Sequence, residues 1–90
     1  MPEGADHSAA PIISHIPRHP VESTGIATVG YSRRLHALEI EFRDGSIYRY
    51  VEIPISHYHG LMRAESKAHY YNEHLRGKYR CMRVKARRRR

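Results

Sequence analysis

The sequence has no tryptophan, one phenylalanine (Phe42) and one cysteine (Cys81). A single cysteine excludes an internal disulfide and fits a reducing compartment. No stretch approaches the ~18 consecutive apolar residues of a membrane span. The opening "MPEGADHSAAPIISHIPRHP" lacks the basic start and sustained apolar run of a secretory signal. A cytoplasmic protein with no membrane partner is therefore expected. With Trp absent and Phe nearly so, the seven tyrosines supply most of the large apolar area, and several of them belong in a core. Ninety residues allow one small domain.

Acid is missing from one end. Residues 76–90, "RGKYRCMRVKARRRR", hold nine of the 16 Lys and Arg and none of the nine Asp and Glu. The other 75 residues thus carry seven bases against nine acids, a net −2, although the whole chain is formally +7. Unopposed cations at this density repel one another and attract polyanions, of which phosphate backbones are the commonest. A merely solubilising tail is the plainer reading of the same run.

Residues 1–20 contain four of the five prolines and no period of 2 or 3.6, so they read as a flexible arm. Within it Ile12, Ile13 and Ile16 are the side chains able to dock. From Val21 the texture changes. "GIATVGYS" (25–32) is rich in β-branched residues and predicts a first strand. "RRLH" (33–36) connects it to "ALEIEFRDGSIYRYVEI", a β-hairpin in which Leu38, Ile40 and Phe42 alternate with Ala37, Glu39 and Glu41.

The turn of that hairpin decides where Tyr48 and Tyr50 point. A two-residue Asp44-Gly45 loop sets Arg49 across from Ile40 and sends both tyrosines to the glutamate face. A three-residue Arg43-Asp44-Gly45 loop, with Gly in the left-handed bulge position, sets Tyr48 across from Ile40 and Tyr50 across from Leu38, with Arg49 facing Glu39. Only the second register gathers the apolar residues and opposes unlike charges. It is the one predicted, and it turns the tyrosine pair from a base-stacking platform into core.

Pro54 ends the third strand. Ser56 then reads as an N-cap for "HYHGLMRAE" (57–65). Ser66 reads as a second N-cap for "KAHYYNEHLR", with Gly77 as its stop. On this second helix Ala68, Tyr71 and Leu75 form an apolar line, and Glu65, His69, Asn72 and Arg76 a polar one. The expected fold is α+β: a small antiparallel sheet of three or four strands, followed by one or two helices packed on one face.

The ordered series "VESTGIATVGY" (21–31), "LEIEF" (38–42), "YRY" (48–50) with its following "IP", "LMRAESK" (61–67) and "YYNEHLRGKY" (70–79) resembles the KTSC domain. That small module occurs at the C-terminus of some lysyl-tRNA synthetases and as free-standing bacterial proteins. The resemblance implies a domain over residues 21–84, preceded by the arm at 1–20 and followed by a basic tail at 85–90. Ala68 stands where the family usually has Gly, which permits a more continuous helix there. Attachment to a synthetase suggests RNA as a partner of the family.

Eight histidines invite a metal, but the spacing does not. His57 and His59 point about 200° apart on a helix. His69 and His74 are five apart, a poor match to helical zinc ligands. Neither a metal nor another cofactor is expected. Catalysis fares no better, because nothing local gives Cys81 a general base and Arg49 is placed to neutralise Glu39 and Glu41. The expectation is a non-enzymatic module binding RNA or single-stranded nucleic acid. Its predicted contacts begin with Lys67, Asn72 and Arg76, whose plainer role is to hold helix ends. They continue with Lys78, Arg80 and Arg83 into the tail, where Lys85 and Arg87, Arg88, Arg89 and Arg90 follow. Tyr31, Tyr58, Tyr70 and Tyr79 would add stacking wherever exposed. The alternative is an adaptor or regulator of transcription or translation machinery, binding an acidic protein surface. The sequence is compatible with a monomer and with a homodimer.

Overall fold

The computed structural model describes residues 15–84. Five strands form one antiparallel meander in the order β1-β2-β3-β4-β5: β1 (His19–Pro20), β2 (Ile26–Ser32), β3 (Ala37–Phe42), β4 (Ile47–Tyr50) and β5 (Cys81–Val84). Between β4 and β5 the chain makes helix α1 (Ile55–Arg63) and helix α2 (Lys67–Tyr70), the latter continuing as a π-helical turn over Tyr71–Leu75. The α+β architecture is as expected, but the sheet has five strands rather than three or four. β1 escaped the reading because it is two residues long and contains proline, which a sheet accepts at an edge. β5 lies inside the basic run, where charge masks the alternation of "CMRV".

The β3–β4 hairpin has the predicted register. Leu38 pairs with Tyr50, Glu39 with Arg49 and Ile40 with Tyr48. The Phe42 amide donates to the Ser46 carbonyl at 2.8 Å, and Gly45 takes φ +94°. A side chain at Gly45 would be strained in that conformation, so glycine sets the three-residue loop and the loop sets the face.

Inward alternation then builds the core. Leu38, Ile40 and Tyr50 pack with Ile26 and Val29 of β2, Ile53, Leu61 of α1 and Leu75 of the π-helical turn, all buried. Ile26 and Val29 are three apart, which strict alternation would send to opposite faces. A bulge between Ile26 and Thr28 restores them to one face, with Ile26 opposite Phe42 and Val29 opposite Ile40.

The outer face of the sheet is not a bare polar surface. Residues 15–20 belong to the packed structure, so packing begins ahead of the Val21 boundary. Ile16 is 1% exposed, and the Pro17 carbonyl and Arg18 backbone lie directly over Gly30. Ile12 and Ile13 lie outside the described residues. Beneath this strap Glu39 is 2% exposed, held by Arg18 at 2.7 Å and Arg49 at 2.8 Å. Arg18 also donates to Thr28 Oγ1, which in turn donates to Glu41, each at 3.0 Å. A buried carboxylate needs such company, since desolvation costs several kcal/mol per ion when uncompensated.

The helices start and stop where local chemistry requires, with two shifts. α1 begins two residues earlier than predicted, with Pro54 rather than Ser56 at its cap. A proline lacks only an amide hydrogen that this end of a helix leaves unused. Ser66 caps α2 as expected, accepting from the His69 amide at 3.2 Å. The wide turn closes with the Arg76 amide on the Tyr71 carbonyl at 2.8 Å. Gly77 follows at φ +73°. Ala68 sits inside α2, and the break between the helices falls before it, at residues 64–66.

Candidate nucleic-acid interface

The predicted contact residues do not form one equivalent set. The Lys67 ammonium donates to the Ala64 carbonyl at 2.9 Å, closing the C-terminal end of α1. Its charge is committed to the joint between the helices. Asn72 and Arg76 are exposed and bonded to each other, Arg76 Nη1 to Asn72 Oδ1 at 3.3 Å. An exposed pair of this kind contributes little to stability and leaves most of the guanidinium's donors facing solvent.

Lys78 and Arg80, both exposed, follow on the connection from α2 to β5. The Arg80 carbonyl accepts from Val51 at 3.0 Å, which fixes this residue beside the end of β4. Arg83 lies farther along, paired with Tyr48 on β4, its guanidinium 5.9 Å from the tyrosine ring centre. At that end the Asp44 carboxyl is held below its usual range, first by hydrogen bonds from Ser46 and to a smaller degree by the charge of Arg83. Arg80 therefore sits just before β5 and Arg83 within it, and β5 is one of the two edge strands of the sheet. Lys85 and Arg87 to Arg90 lie outside the described residues.

The tyrosines proposed for stacking already pack against other rings, two against each other and two against histidines. Tyr31 stacks on Tyr58, ring centres 5.6 Å apart and planes 21° from parallel. Tyr70 and Tyr79 enclose His57, with His74 4.4 Å from the Tyr70 ring centre. His57 Nδ1 and the Tyr70 hydroxyl are hydrogen-bonded at 3.0 Å. Burial, and then the charge of His74, hold the His57 imidazole below its ordinary pKa. Among the described residues no group of three or more His, Cys, Asp or Glu is placed to hold a metal. Burial pushes the Cys81 thiol up, which disfavours the nucleophilic thiolate.

Sequence reasoning missed two groups of charged residues. It saw Glu39 and Arg49 as a surface pair and did not foresee Arg18, which arrives from the arm. It treated Arg33, Arg34 and His36 as connector, although two arginines and a histidine in a four-residue turn were a visible signal.

With this geometry in place, known proteins give a consistent match. The family model of the KTSC domain fits residues 22–79. The chain belongs to the KTSC domain family. A lysine–tRNA ligase of Nostoc punctiforme is 34% identical over 58 residues, covering 64% of this chain and 10% of the ligase. The chain thus spans about a tenth of that relative. A protein of Tsukamurella paurometabola is 32% identical over 63 residues, covering 70% of this chain and 94% of its own. The crystal structure of a KTSC domain protein from Yersinia pestis superposes with a TM-score of 0.76 at 31% identity, covering 79% of this chain and all of that one. Among the described residues no helix is long and apolar enough to cross a membrane.

Proposed function

We propose that this KTSC domain is a non-enzymatic binding module that holds RNA, or single-stranded nucleic acid generally, along the segment from α2 through β5 into the basic end. The observation that carries this reading is the exposure of Arg76, Lys78, Arg80 and Arg83 in unbroken sequence with five further cations, and with no acid after Glu73. Contacts of this kind position a strand without reading its sequence. Because the tyrosines already pack against tyrosine or histidine rings, affinity comes from phosphate neutralisation and is steeply salt-dependent, with a slope of about −0.7 per phosphate on a single strand. The ligase relative, an enzyme named for a tRNA substrate, supports RNA over other polyanions.

The test is affinity for single-stranded RNA across a salt series. It compares the full chain with a variant in which Lys85 and Arg87 to Arg90 are replaced by glutamine. The full chain binds at low salt, and the variant binds more weakly with a shallower slope. Failure of the full chain to bind at low salt contradicts the proposal. Complete loss in the variant removes the folded domain from the interface and leaves only the tail.

The second reading is a protein adaptor, and the place of β5 at an edge of the sheet among the described residues favours it, since a sheet edge accepts a partner strand. Its target would be acidic. Retention of a partner from lysate after nuclease treatment would support it, and loss of that partner with the RNA supports the first reading.

A further inference from the structure

The turn from β2 to β3 carries Arg33, Arg34 and His36, all exposed. With Tyr31, Pro54 and Ile55 they line a groove of about 600 Å³, within the span of roughly 300–1,000 Å³ in which small-ligand sites fall. Its floor is held rigid. The Tyr31 hydroxyl donates to the Ile53 carbonyl at 2.7 Å, and the ring is backed by Tyr58. Burial raises the Tyr31 phenol's pKa while the nearby charge of Arg33 pulls the other way.

The backbone around the groove is unusual on both sides. His36 has φ 54° and Glu52 φ 55°, the left-handed region in which a side chain costs on the order of 1 kcal/mol. The two segments are tied by the Ile53 amide donating to the His36 carbonyl at 3.1 Å. Strain of this sort gathers where a loop is shaped for a ligand. Pro54 adds no side-chain cap to the first turn of α1, so that side of the groove also favours negative charge. Glu52 is the opposing charge here. It is exposed and is not among the lining residues.

We propose that this groove binds a single nucleotide unit, its phosphate on the Arg33 and Arg34 guanidiniums and its base or sugar on Tyr31, Pro54 and Ile55. Guanidinium forks match phosphate oxygens in pairs. The apolar floor supplies the contact area that a bare anion would not use. The same chemistry is offered by a free mononucleotide and by one residue of a strand. The site is separate from the 76–83 segment and stands or falls independently of it.

The test is an amide NMR titration of the full chain with adenosine monophosphate, adenosine, inorganic phosphate and a short single-stranded RNA. Adenosine monophosphate shifts the Arg34, His36 and Ile55 amides, and adenosine or phosphate alone binds at least about tenfold more weakly, the effect of losing one charge-assisted contact. The double variant Arg33→Ala, Arg34→Ala gives a folded spectrum, because both side chains are exposed, and loses at least that factor. Groove shifts at lower RNA than mononucleotide concentration identify a strand unit as the source, and the reverse order a free nucleotide. Silence of the groove at millimolar mononucleotide and RNA overturns the proposal. So does unchanged binding by the double variant, or phosphate binding as tightly as the nucleotide. Shifts confined to residues 72–83 would sink the groove and leave the function proposed above intact.

Discussion

Tyr48 and Tyr50 share a face of β4 but have different jobs. Tyr50 is 3% exposed and its hydroxyl is bonded to that of Tyr71. Tyr48 is half-buried between β3 and β5, under Arg83. Tyr50→Ala removes a core ring, at a cost of about 3–5 kcal/mol, a large part of a small domain's total stability. Tyr50→Phe keeps the ring and loses one hydrogen bond, about 0.5–1.5 kcal/mol. In thermal melts followed by circular dichroism, Tyr50→Ala should lie far below wild type, Tyr50→Phe slightly below, and Tyr48→Ala between them. An unchanged melting temperature for Tyr50→Ala would contradict the core assignment. His57 gives a pH prediction at the same scale. Its folded pKa lies below the unfolded value of 6.5, so the unfolded chain binds the proton more readily. The stability it contributes is whole above about pH 6.5 and is lost as pH falls through the folded pKa. The melting temperature should therefore drop from pH 7.5 to 5.5, and by less in His57→Gln; equal drops would exclude this histidine as a source.

At the scale of elements, the strap at residues 16–18 is the part the sequence hid best. Three isoleucines among prolines gave no period to read, and the partners of Arg18 lie 10 and 21 residues away. Gly30 shows the strap's seat, because a Cβ there would overlap the Pro17 carbonyl, which is backbone and yields poorly. Gly30→Ala should destabilise by ~1–3 kcal/mol through overpacking, and Arg18→Ala should destabilise by removing one of two partners of buried Glu39. Both act through the same strap, so the double variant should lose clearly less than the sum of the singles in chemical denaturation. Strict additivity would show that the strap is not one unit. The β3–β4 hairpin was legible because one glycine and one charge pair chose between two registers. The π turn was not, since a 3.6-residue period has no marker for a turn closed five residues back. β5 matters differently: it is four residues long, with Arg83 within it and further cations following. Charge of that kind blunts edge pairing, and a second copy would bring like charges together. This weighs against a strand-sharing homodimer and for a polyanion.

For the molecule as a whole, charge is the informative property, and it is arranged rather than spread. The body is close to neutral, while cations run from Arg76 along the connection after α2 to Arg83 in edge strand β5, and the sequence after it is basic again; Arg33 and Arg34, beside His36, form a second group on the β2–β3 turn. The tail's basicity was plain in the sequence. The second group was visible there too, but its groove was not, because only folding brings that turn beside Pro54 and Ile55. Family membership fixes the scaffold, and the basic end runs on past residue 79, where the family match stops. The most direct measurement is an amide NMR titration of the full chain with short single-stranded RNA at low salt, repeated at high salt. The account predicts shifts at Asn72, Arg76, Lys78, Arg80 and Arg83 and in the tail, collapsing as salt is raised. Shifts that leave residues 72–83 untouched, or that persist unchanged in high salt, would contradict it.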